Sequence, residues 1–208
     1  MSNTNKNRLY KIAIHLVGLM LLGLGIAVFV TANLGSDPIT VLADGLHQVL
    51  NITVGTAMIL LNVIVLVVVF FTKRSYIRIG TWISAVMTGV FVDIFIFLIG
   101  GSIFQGLSVL IRTLILVLGC VIIGAGIALY MSADIGVCLG DLIADILTKE
   151  KGWQYRWIKI PIDLFCLITG FLLGGKVGLG TIIGALLTGP LVQLFMPAAK
   201  RICSFKGN

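Results

Sequence analysis

Two aspartates stand inside runs of apolar residues long enough to cross a bilayer, Asp93 in FVDIFIF and Asp163 in IPIDLFCLI. A carboxylate in hydrocarbon is costly to desolvate, so it meets a cation, holds a proton or handles a polar solute. Asn62, in LLNVIV, is a neutral residue of the same kind. Arg112, at the end of another apolar run, is the expected partner of Asp93. Each carboxylate reads equally well as a polar clamp between helices or as a substrate or proton site.

Two loop motifs form a second group: Thr31-Ala32-Asn33-Leu34-Gly35-Ser36-Asp37-Pro38 and Ser132-Ala133-Asp134-Ile135-Gly136. Gly35 and Gly136 permit a sharp return of the chain. Asp37 can cap the helix that follows, and Pro38 suits its first position. A helix start offers free N–H groups and a positive dipole end, which would suit a carboxylate or small anion. The plainer reading of Asn33, Asp37 and Asp134 is capping alone. Asp44 follows in the first short helix, with His47 three positions on as a weak proton-relay signal. Asp141 and Asp145, four apart on one helical face, could carry protons or hold a cation, or could be solvated acids. The pairs Thr88-Gly89 and Thr188-Gly189 mark close helix packing more readily than ligand contact.

Conventional catalysis finds no support. There is no G-x-S-x-G, H-E-x-x-H or Walker A pattern, and His15 and His47 cannot build a metal site alone. Cys120, Cys138, Cys166 and Cys203 lack metal-ligand or C-x-x-C spacing. No enzyme activity, metal or cofactor is expected, and any ATP drive would come from another subunit.

The elements that must position these residues are membrane helices. Hydrophobic residues make up 59% of the chain and charged residues 11%, with mean hydropathy +1.14. A soluble domain carries about 25% charge. Six runs reach the ~17–25 residues that cross a core roughly 30 Å thick: 13–32, 52–72, 79–99, 107–131, 156–174 and 178–197. The basic N-terminal segment precedes a run of full spanning length, so the first span is expected to stay in place rather than be cleaved as a signal. With the N-terminus inside, 13 of the 15 lysines and arginines fall on the inner side, leaving Arg112 and Lys176 outside. That bias predicts cytoplasmic N- and C-termini. It also reads the net charge of +7 as topology rather than nucleic-acid binding. Segments 37–49 and 137–149, about 20 Å each as helices, are too short to cross comfortably and are expected to be re-entrant or interfacial.

The chain repeats itself. Residues 23–46 (GLGIAVFVTANLGSDPITVLADGL) and 124–147 (GAGIALYMSADIGVCLGDLIADIL) agree at nine of 24 positions. Residues 80–95 align with 180–195, matching Thr88-Gly89 to Thr188-Gly189. That offset of 100 also pairs Asp93 with Gln193, and the offset of 101 in the first block pairs Asp44 with Asp145 and Asn62 with Asp163. Three spans is an odd number, so the second copy enters the membrane upside down. The expected fold is an all-α polytopic membrane protein of about six spans in two inverted three-helix repeats. Each repeat carries a short re-entrant or interfacial helix after its first span. The expected units are an N-terminal segment 1–12, repeats 13–100 and 107–197, and a tail 198–208.

The motifs GIAVFVTANLGSDPITVLADGL and GIALYMSADIGVCLGDLIADIL resemble the YczE/YyaS/YitT group of bacterial multi-pass membrane proteins. The resemblance covers nearly the whole chain and implies a cell-membrane location and a small multi-span fold. It transfers no substrate and no functional residues. The architecture itself points to a secondary transporter or permease for a small solute, working by alternating access. The alternatives are a non-transporting protein that supports a biosynthetic or envelope system, and the substrate-binding subunit of a multi-subunit importer. The expected partners are the lipid bilayer and an unidentified solute, with a homo-oligomer or a membrane partner subunit compatible with the sequence.

Overall fold

The computed structural model describes residues 3–100, 103–104, 106–136 and 138–204, with the backbone alone for residues 3–6, 139, 141, 145, 155 and 156. Regular structure among the described residues is helical: α1 (Asn3–Ala32), α2 (Pro38–Leu50), α3 (Val54–Lys73), a 3-10 turn (Arg74–Tyr76), α4 (Ile79–Ile99), α5 (Val109–Ser132), α6 (Leu139–Lys151), α7 (Tyr155–Leu172) and α8 (Leu179–Ser204). Among the described residues, five stretches are long and apolar enough to cross a membrane: Asn7–Ala32, Val54–Tyr76, Ile79–Ile99, Val109–Ser132 and Leu179–Ser204. The sixth expected span, 156–174, is α7. It is only 18 residues long and carries Arg156, Lys159 and Asp163, a charge load that sets it apart from the other five. The outer surface of the bundle is apolar, with Phe71, Phe97, Leu110, Phe165 and Leu172 all exposed. That surface is suited to hydrocarbon rather than water.

The two short helices form where the sequence places them, within two residues of the expected bounds. The Asp37 carboxylate accepts the Thr40 N–H at 3.3 Å, and Pro38 occupies the first helical position. Before them the chain turns sharply. Asn33 and Asp134 end α1 and α5 with φ of 59° and 50°, a left-handed conformation that asparagine and aspartate tolerate better than most residues. Gly35 follows with φ of 90°, and its missing side chain lets the loop lie on the Gly178 N–H.

Contacts fix the direction of each helix. Gly23 of α1 meets Phe91 and Val92 of α4 while His15 meets Gly80 and Ser84, so α1 and α4 run the same way. Gly55 meets Gly89 while Asn62 bonds back to Ala85, so α3 opposes α4. Helices α1 and α5 are antiparallel and touch backbone to backbone through Gly18, Gly25, Gly119 and Gly126. Small residues at such crossings allow the close approach that replaces a hydrophobic driving force in lipid.

Many contacts in one half recur in the other. A β-carbon on Gly23 would lie 2.7 Å from Phe91 Cβ, and one on Gly124 would lie 2.7 Å from Leu191 Cβ. The Gly80 N–H donates to Ile135 O at 3.0 Å, and the Gly180 N–H donates to Leu34 O at 2.8 Å. Other contacts do not recur. Helix α3 packs on α4 through Gly55 and Gly89, whereas Gly189, the counterpart of Gly89, has open space where its side chain would be. The expectation that Gly189 marks tight packing therefore fails within one chain, because α7 leans onto α2 instead of α8. Thr188, next to it, lies beside the Cys120 thiol of α5.

Candidate functional site

The starts of α2 and α6 converge inside the bundle. The Ile39 side chain sits directly against Gly140, so the first turns of the two short helices touch. Beside them runs α7. Its Lys159 ammonium pairs with Asp163 at 2.8 Å across one helical turn and reaches Gly140 O at 3.4 Å. The α2 start with its Asp37 cap, the α6 start and the Lys159–Asp163 pair are thus neighbours in this part of the bundle. Such a set can hold a small polar or anionic group, because the start of α6, which has no side-chain cap, and the ammonium offer positive charge while the acids orient it.

Several expected site residues lie elsewhere. Asp93 does not pair with Arg112. Its carboxylate accepts the Thr53 hydroxyl at 2.5 Å and the Gly55 N–H at 2.7 Å, capping the start of α3 from a neighbouring helix. Asn62 is buried and donates to Ala85 O at 3.2 Å. Both are clamps that hold α3 on α4. Thr88 donates to Ser84 O within α4, beside the Gly89 crossing. His47 bonds Ile52 O across the turn from α2 into α3 and serves as a local cap. The side chains of Asp141 and Asp145 fall outside the described residues; their backbones lie in α6.

Of the two loop motifs, only Asp37 and Pro38, at the start of α2, border the convergence point. Asn33, Gly35 and Asp44 border a cavity of about 10 Å³, room for one water, and Asp44 accepts the Lys176 N–H at 3.0 Å. At the Gly136 turn, Arg78 donates to the Asp134 carboxylate at 2.8 Å and to its carbonyl at 3.0 Å. Lys159 is the main residue that the sequence does not single out as a site residue, although the expected span 156–174 contains it; it stands in α7 one turn before Asp163. Its i,i+4 relation to that acid was the available signal.

Asp93→Ala is expected to lower stability by about 1–2 kcal/mol, the usual effect of losing a helix cap. Arg112→Gln should change it by less than about 0.5 kcal/mol. Thermal unfolding in detergent compares them, and equal losses would restore the Asp93–Arg112 pair.

The fold and its apolar exterior define a multi-pass α-helical membrane protein. The chain belongs to a family of unknown function, DUF6198, whose model matches residues 9–197. It is 28% identical over 193 residues to the uncharacterized membrane protein YczE of Bacillus subtilis (strain 168), covering 92% of this chain and 87% of that one. It is 27% identical over 186 residues to YyaS of the same organism, covering 89% and 92% respectively. An uncharacterized protein of Haemophilus influenzae is 27% identical over 191 residues, covering 92% and 85%. No solved structure matches the chain.

Proposed function

We propose that this protein is a secondary transporter or permease for a small polar solute, with its site where α2 and α6 meet. The observation that carries the reading is that convergence, Ile39 on Gly140 beside the Lys159–Asp163 pair. In this reading the halves are inverted repeats and α2 and α6 are re-entrant half-helices. Helix α7 is the sixth crossing, its charge offset by the ion pair. The N- and C-termini are cytoplasmic, as the Lys/Arg bias requires. Short helices whose starts face a shared polar centre are a recurring device for binding solutes at the junction of two repeats.

The departures from symmetry support motion. Helix α2 lies along α7 through Gly45, Gly170 and Gly175, almost backbone to backbone. The counterparts of Gly45 and Gly170 are Ile146 and Val69, which meet through bulky side chains with Leu66, Ala85 and Leu142. Two interfaces built on one plan but packed to different depths are what rocking between two states requires. The structure then corresponds to a state sealed on the α2–α7 side.

The test pairs topology with flux. Single cysteines replace Asp44, Ser75 and Lys149 in a chain lacking the four native thiols. Position 44 should label from outside, and positions 75 and 149 from inside. Purified protein in proteoliposomes is then screened for uptake of small organic acids and amines. A cross-link between Gln48→Cys and Gly174→Cys, whose side chain and carbonyl now lie 2.7 Å apart, should stop uptake, and reductant should restore it. Outside labelling of position 75, or uptake indifferent to the cross-link, would remove the alternating-access reading.

A further inference from the structure

A pocket of about 440 Å³ opens at the base of α1, between the start of α4 and the Asp134–Ile135 turn. Its walls are Ile12, Ile79 and Ile135, and its charged groups are Arg8, Arg78 and Asp134. The volume falls within the roughly 300–1,000 Å³ typical of small-molecule sites. One guanidinium nitrogen of Arg78 is engaged by Asp134, and the rest of the group remains open, with the Arg78 side chain 58% exposed. Arg8 is exposed and has no ion pair or hydrogen bond among the described residues. Two guanidiniums against one carboxylate leave a net positive mouth on an apolar floor.

The pocket is continuous with the lipid-facing surface. Ile79 lines it and is 49% exposed, and Leu9, Trp82 and Met131, on the three adjoining helices, are also exposed. A ligand there meets water and basic charge at one end and hydrocarbon at the other. A free soluble acid would leave the apolar floor unused. Basic pockets between membrane helices that face a leaflet suit acidic headgroups.

We propose that this pocket seats the phosphate of an anionic phospholipid. Arg8 and the open side of Arg78 hold the phosphate, while Ile12, Ile79 and Ile135 pack on the glycerol and the first acyl carbons. Asp134 fixes Arg78 in place and repels a second anion. The site is separate from the α2–α6 convergence, so it stands whether or not the chain transports.

Native mass spectrometry of the full chain in detergent tests it, with phosphatidylglycerol and phosphatidylcholine added at equal concentration. Phosphatidylglycerol occupancy should exceed phosphatidylcholine occupancy by about fivefold, the effect of one well-placed basic side chain. Arg8→Gln should erase the preference, and Arg8→Lys should restore most of it. Ile12→Trp, which fills the pocket without changing charge, should lower occupancy as well. Lys151→Gln removes a charge away from the pocket lining and should leave it unchanged. Equal binding of the two lipids, an equal loss in Lys151→Gln, or displacement by inorganic phosphate at the same concentration would overturn the proposal.

Discussion

Asp163→Asn is expected to abolish uptake and to destabilise the protein, and the two losses are separable. The substitution breaks the Lys159–Asp163 ion pair inside the bundle. Removing one partner of a fully buried pair costs about 3–5 kcal/mol. Here the Lys159 and Asp163 side chains keep 20% and 29% of their exposure, so solvent screening reduces the cost to about 1–3 kcal/mol. For a chain of this size that corresponds to a fall of roughly 3–10 °C in apparent Tm. Lys159→Met should behave alike. The double variant Lys159→Met/Asp163→Asn removes both charges of this pair and should recover most of the stability. If the pair serves a solute, uptake stays lost in the double variant although the protein is again stable. Uptake returning together with stability would make the pair a structural clamp and move the site elsewhere.

The elements of this fold were legible in the sequence wherever local chemistry decides them. Asp37 and Pro38 announce the start of α2, and the helix begins there. The apolar runs mark the five long helices closely. Features that depend on contact between distant residues were not legible. Asp93 caps a helix start about 40 positions earlier, and nothing near it in the chain names Thr53 or Gly55. The four-glycine crossing of α1 and α5 pairs Gly18 with Gly126 and Gly25 with Gly119. Gly18 and Gly119 fall outside the matched blocks, because a run of leucines and valines around them hides the alignment. Lys159 is passed over for another reason: it counts among the inner-side basic residues that set topology, and only the neighbouring Asp163 argues for a place in the site. Within the site, Asp37 and Asp163 were each found by type, but the meeting of α2, α6 and α7 is a tertiary fact.

Gly170→Val carries the other large expected effect, because it gives α7 the residue that stands at the same repeat position in α3. A β-carbon at Gly170 would lie 2.6 Å from the Leu42 nitrogen and 2.7 Å from both Leu42 Cα and Val41 C. These are backbone atoms and cannot swing aside, so α2 must move off α7. Gly45 sits on the same contact, 2.6 Å from Gly170 O by the same measure, and Gly45→Ile should act in the same direction. Overpacking of this kind costs about 1–3 kcal/mol when the structure can relax. In the transport reading relaxation is available, because parting α2 from α7 is the opening of the sealed side. Gly170→Val should then raise labelling of a cysteine at Asp44 from outside severalfold while the chain stays folded. Uptake should slow, because the sealed state is disfavoured. The reciprocal change, Val69→Gly with Ile146→Gly, lets α3 and α6 approach and should lower labelling of cysteines at positions 75 and 149. If Gly170→Val merely aggregates, the reciprocal variant still decides the matter, since it removes bulk rather than adding it. Unchanged labelling in that variant would mean that the unequal interfaces are fixed features of the fold, and the reading of two exchanging states would lose its structural basis.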